Sequence, residues 1–177
     1  MASIIKVDQI QTAAGGTPTA ADLGLNTTGS VLQVKQDIRT NSFTTTSTSE
    51  QDIVSVAITP SSTSSKILVS YACIIGSNAT RPDILLLLKR DSTHICVGEG
   101  TDVPCSQHVG NIGNSYMDHE VHQTANTFLD SPSTTSEVTY KLVVRNRTSS
   151  SNISVGRRWN DTAFITPSTI TVYEIAG

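Results

Sequence analysis

Val138-Thr139-Tyr140-Lys141-Leu142-Val143-Val144-Arg145 decides the fold class, because Val138, Tyr140, Leu142 and Val144 fall on one side of a period-two alternation. A strand with one face in a core and one face wet reads this way. The same signal recurs outward from it. Ile53, Ser55, Ala57 and Thr59 interleave with Val54, Val56 and Ile58, and Pro60 ends the run. Lys66 to Ile75 is rich in β-branched and aromatic residues and stops at Gly76. Ile84-Leu85-Leu86-Leu87-Leu88 is continuously apolar, as expected of a strand covered on both faces. Thr169–Ile175 is a strand close to the C-terminus, and its Thr, Ile, Val and Tyr content predicts a central place in a sheet. After residue 30 no segment keeps apolar residues at helical spacing over three turns.

Composition agrees. Ser and Thr together make 48 of the 177 residues, while charged residues are only 15%. Disordered chains combine low hydrophobicity with high charge, and this chain carries a formal net charge of -3. Hydroxyl residues alternating with Val, Ile and Leu suit a half-wet pleated surface instead. Strands at roughly ten-residue spacing predict an all-β, antiparallel, jelly-roll-like β-sandwich.

Residues 1–30 differ. Ile4, Ile5, Val7 and Ile10 form an apolar patch, followed by dense Gly and Pro punctuation through Gly29. The patch is too small to hold a fold. The expected division is an N-terminal anchoring arm, 1–30, and a sandwich domain, 31–177. No basic run leads into an apolar core of secretory type, and no apolar stretch approaches the ~18 residues of a membrane helix. The expectation is no membrane insertion. The 12 basic residues are scattered, which points away from nucleic acid.

Candidate chemistry is sparse. Asp118, Glu120 and His122 would share one face of a strand and form a weak metal candidate, with His119 opposite; a solvated strand edge explains them as well. Single copies of His94 or His108 repeated around a subunit axis would do the same. No nucleophile elbow or phosphate loop occurs, and loop carboxylates such as Glu99, Asp102 and Asp130 read as solvated surface. No cofactor and no catalytic residue are expected. Cys73, Cys96 and Cys105 read as reduced thiols in strands, with a Cys96–Cys105 bridge as the alternative. Arg157, Arg158 and Trp159, together with Arg145 and Arg147, are a candidate partner-binding cluster. Trp159 would then stack on a sugar ring or sit at an interface; the alternative is that it fills the end of the sandwich beneath Arg stems.

Two sets of phrases resemble a known class. Ser3-Ile4-Ile5-Lys6-Val7-Asp8-Gln9-Ile10-Gln11 with Gly29-Ser30-Val31-Leu32-Gln33-Val34 resembles the opening of virion proteins of marine (cyanobacterial) tailed bacteriophages, described as tail-fibre-like or structural. Ile58-Thr59-Pro60-Ser61-Ser62 with Ser64-Ser65-Lys66-Ile67-Leu68-Val69, Phe128-Leu129-Asp130-Ser131-Pro132, Val138-Thr139-Tyr140-Lys141 and Ser168–Gly177 are similar to later parts of those proteins. Residues 76–125 match only in character. The resemblance implies a trimeric jelly roll facing outward from a virion, held to other virion proteins by its arm. It implies a tail-fibre or receptor-binding module that touches host polysaccharide or protein, with a head decoration (cement) protein as the alternative and a small polysaccharide hydrolase as a third reading. The class has no settled catalytic residues, so none are carried over.

Overall fold

The computed structural model describes residues 10–18, 22–24, 28–79, 82–100, 104–110, 121–147 and 152–177. Among the described residues eleven strands follow in chain order: β1 (Val31–Arg39), β2 (Phe43–Thr45), β3 (Gln51–Ile58), β4 (Lys66–Ser77), β5 (Asp83–Arg90), β6 (Thr93–Ile95), β7 (Gln107–Gly110), β8 (His122–Asp130), β9 (Val138–Asn146), β10 (Ile153–Val155) and β11 (Ser168–Ile175). No helix occurs among the described residues.

The strands form two antiparallel sheets. The first has β1, β11 and β4 side by side, with β8 on the far edge of β4 and the short β10 and β2 extending the β11 and β1 rows. The second has β3, β9 and β5 side by side, with β6 and β7 sharing the far edge of β5. With β2, β6 and β10 taken as extensions, eight principal strands remain. The first sheet takes the first, eighth, third and sixth of them, and the second takes the second, seventh, fourth and fifth. That is jelly-roll connectivity, the double Greek key. The C-terminal strand β11 lies inside its sheet, as its composition predicts.

The core lies between the sheets and follows the alternation. Val138, Tyr140, Leu142 and Val144 of β9 are buried opposite Ile67, Val69, Tyr71, Cys73 and Ile75 of β4 and Ile170 and Val172 of β11. In β3 a bulge between Asp52 and Val54 turns both Ile53 and Val54 inward, so strict alternation fails there for one residue. β5 is buried on both faces, as its unbroken run requires: Ile84, Leu86 and Leu88 join the main core, and Leu85 and Leu87 pack outside with Val143. Gly98, Gly100, Pro104, Gly110 and Gly113 make residues 98–114 read as one long loop, yet the stretch contains β7, whose Gln107–Gly110 pairs with Asp83–Leu86. Gly and Pro density overstated the loop, because the opposite edge of β5 supplies a ladder that local sequence does not show.

The sandwich begins before residue 31. Gly29 donates its amide to the Ala176 carbonyl, and Ala176 donates to Ser30, so residues 29 and 30 belong to the domain. Of the residues expected to anchor the arm, Ile4, Ile5 and Val7 lie outside the described residues, and Ile10 is exposed.

Leu86 is fully buried between β7 and β9. Leu86→Asp places an unpaired charge in the core at a cost of several kcal/mol, on the order of the whole stability of a domain. The expected outcome is loss of the cooperative thermal transition in circular dichroism, where wild type shows one.

Candidate functional site

The two outer faces of the sandwich have opposite chemistry. On the second sheet an ion-pair lattice covers the outside. Glu50 accepts from Lys89 Nζ and contacts His94 Nε2, both at 2.6 Å. Asp83 meets His108 at 2.8 Å and Arg147 at 3.2 Å, and Asp52 meets Lys141 at 2.9 Å. Burial alone would raise the Glu50 and Asp83 pKa values, but hydrogen bonds and charge from these cations outweigh it and hold both below the usual range. Beneath the lattice, Leu85, Leu87 and Val143 stay dry.

The outer face of the first sheet is nearly free of charge. Register places Val34, Tyr173, Leu68 and Leu129 in one cross-strand row. Neighbouring rows are Gln36, Thr171, Ser70 and Thr127, then Ile38, Thr169, Ala72 and Ala125. Lys66, at one end, is the one charged side chain in these rows and their extension along β4, and it donates to Ser131. Val34, Ile38 and Leu129 are 51%, 49% and 54% exposed. β1 is therefore turned against the usual pattern. Val34 and Ile38 face outward, while Gln33, Lys35, Asp37 and Arg39 point toward the sandwich side.

Those inward polar groups are used. Asp37 accepts from the Ser55 amide, and Arg39 reaches the carbonyls of Asp52 and Ile53 and stacks over Phe43 at 4.4 Å. They line an open groove of about 410 Å³ between β1 and β3. Gln33 reaches Glu174, which is fully buried and also accepts from the Ser61 amide and hydroxyl, each bond 2.6 Å long. Burial by itself raises the Glu174 pKa, but these hydrogen bonds prevail and keep it below its ordinary value of 4.5.

Asp130 stands in the same row as Glu174, with Ile67 between them. It accepts from Tyr140 Oη at 2.7 Å and from Arg90 at 2.7 and 2.9 Å, joining β8 of one sheet to β9 and β5 of the other. The sequence reading of Asp130 as solvated loop surface is wrong: it is 7% exposed and ends β8. Burial, followed by the Asp130 carboxylate, drives the Tyr140 phenol far above its usual pKa. Only register brings these partners together.

The arginine cluster is divided. Arg145 and Arg147 belong to the lattice of the second sheet, where Arg145 reaches the Thr48 carbonyl. Arg157 lies in the loop after β10 and donates to the carbonyls of Arg158, Trp159 and Asp161 at 2.7–3.0 Å. Its guanidinium thus holds the loop together instead of facing outward. Arg158 pairs with Asp161 and lies 5.3 Å over the Phe164 ring, which is 68% exposed. Trp159 is half-buried in the same loop. Ile74, Val121, Arg157, Arg158, Phe164 and Thr166 enclose a small apolar cavity of about 190 Å³.

Asp118, His119 and Glu120 lie outside the described residues. His122 begins β8 with its Nε2 buried and without a hydrogen bond. No group of three metal-ligating side chains occurs among the described residues. Cys73 alone of the three cysteines lies in a strand; burial pushes its thiol up to about 11. Cys96 packs on the inner core and Cys105 on the outer cluster of the second sheet, so the two occupy opposite faces and form no bridge.

No family model matches this chain, and no curated protein matches it. Among solved structures it is similar to a chain of "Structure of infectious bursal disease virus Gx strain", with 10% identity and a TM-score of 0.37. The match covers 84% of this chain and 39% of that one.

Two outcomes are expected from this geometry. A Cβ at Gly76 would sit 2.6 Å from Ser154 Oγ and 2.7 Å from the Arg157 carbonyl, so Gly76→Ala should force the Arg157 loop away and lower stability by ~1–3 kcal/mol in urea titration. Because Glu174 is depressed when folded, its stabilisation is present above pH 4.5 and lost as pH falls through the folded pKa. Glu174→Gln should cost about 2 kcal/mol at neutral pH, and the gap to wild type should narrow below pH 4.5.

Proposed function

We propose that this chain is a structural protein of a tailed-bacteriophage virion, a trimeric tail-fibre or receptor-binding-type module attached through its N-terminal arm. The observation that carries the reading is the chemical contrast between the two sheet faces. One is a hydrated ion-pair lattice, and the other presents apolar and hydroxyl side chains with one charge at its margin. A soluble jelly roll working alone needs no such division; a building block with an inner and an outer side does. The arm adds to this. Its described residues at 10–17 and 22–24 are largely exposed, and Gly29 and Ser30 are hydrogen-bonded to Ala176 of the sandwich. The resemblance of both chain ends to virion proteins supports this class of assembly.

The proposed role is non-catalytic. Support comes from Asp130 and Glu174, the two carboxylates that share an inward row, because each is consumed by internal hydrogen bonds. Exposed loops around Phe164 and Trp159 lie at the other end of the first sheet from Glu174 and are the part offered to a host polysaccharide or protein.

Removing residues 1–28 tests the arm while keeping the Gly29 and Ser30 bonds. The truncated protein should keep its β circular dichroism and thermal transition yet fail to enter particles, as scored by immunogold labelling. The isolated domain should also block phage adsorption. Labelling spread over the head, with adsorption intact and DNA leaking when the protein is lost, would replace the fibre with a head decoration.

A further inference from the structure

We infer that the outer face of the first sheet, the β1-β11-β4-β8 surface centred on Val34, Tyr173, Leu68 and Leu129, is where this chain packs against further copies of itself around a threefold axis. The inference deepens the trimeric reading above and rests on it.

In a closed homo-oligomer any side chain near the axis is repeated by every copy. A charge there would face its own image and be desolvated with no partner. A face built for a different protein is free to carry charge, because the partner answers it with the opposite sign. The rows across this sheet hold no charged side chain near their middle, where Thr171 and Ser70 sit, and Lys66 is displaced to the end. Lys35, Asp37 and Arg39 of β1 point the other way, and Asp37 and Arg39 contact β3. Hydroxyl side chains suit the position, since each both donates and accepts and so pairs with its own copy.

Four strand rows at ~4.8 Å and nine residues at ~3.3 Å give roughly 570 Å² in projection. In a threefold assembly two neighbours share that face, so each contact also takes in the strand edges beside it to approach the ~800 Å² per partner of a stable interface. Leu129 and Val34, half-exposed in one chain, stand toward the two sides of the face, where each meets a neighbouring copy.

The test is sedimentation of the full chain. The wild-type protein should run at about three times its 18.8 kDa chain mass. Leu129→Lys and Thr171→Lys, both on the outer surface, should run at single-chain mass with unchanged β circular dichroism. Thr139→Lys, on the outer face of the second sheet, should keep the trimer. A wild-type monomer, or a trimer that survives both substitutions on the first sheet, overturns the inference. Hydroxyl-radical footprinting of the wild type decides the same point without a variant: Leu129 and Val34 should be protected, and labelling at their single-chain exposure overturns the interface. A trimer that disappears on Leu129→Lys while the protein is absent from particles would sink the virion reading and leave this interface standing. A monomer found in particles would do the reverse.

Discussion

Alternation along β4 is the constraint on which the other parts depend. Ile67, Val69, Tyr71, Cys73 and Ile75 fill the core, and Leu68, Ser70, Ala72 and Ile74 between them form the outside of the sheet. The same strand carries β11 and β10 along one edge and β8 along the other. A slip of one residue would move every apolar side chain to the wrong face and misplace three neighbours together. Each fully buried Ile, Leu or Val contributes on the order of 1.5–3 kcal/mol. The register is therefore strongly held by the core alone, without a disulfide.

Polar contacts refine that register at one end. Glu174 and Asp130 sit in the same inward row as Ile67 and could not be left there unpaired. Ser61 and Gln33 satisfy the first, and Tyr140 and Arg90 satisfy the second. The Asp130 contacts cross from one sheet to the other, so they fix how the sheets are placed as well as closing the core against water. At the other end Gly76 lets the loop after β10 approach β4, and Arg157 gathers that loop's carbonyls. The surface at Trp159 and Phe164 is thus positioned by an arginine whose own charge is spent inside the loop.

The chain's two outer faces follow from the same alternation with different residues. On β5 and β9 the outward set mixes leucines with Lys89, Lys141 and Arg145, whose long stems cover apolar carbon and whose heads find carboxylates or carbonyls. On β4, β8 and β11 it is Thr, Ser, Ala, Leu, Ile, Gln and Tyr, with Lys66 at one end. Such a face costs less to remove from water than one carrying charges.

The sequence by itself determined the strand content, the inward set of β9, the double coverage of β5 and the interior place of β11, because each rests on a local period of two or an unbroken apolar run. It also marked residues 1–30 as different, although the boundary is drawn by two hydrogen bonds between Gly29, Ser30 and Ala176 that span the chain. Only the tertiary structure decided the rest. It showed β7 inside a Gly-rich stretch, the bulge that buries Ile53 beside Val54, the division of the arginines between two sheets, and Asp130 as a buried clamp. It alone revealed the uncharged face, because Val34, Tyr173, Leu68 and Leu129 are far apart in the chain and meet only through strand register. Alternation says that a strand has two faces; which one turns to water, and which strand lies beside it, is set by pairing across the whole fold.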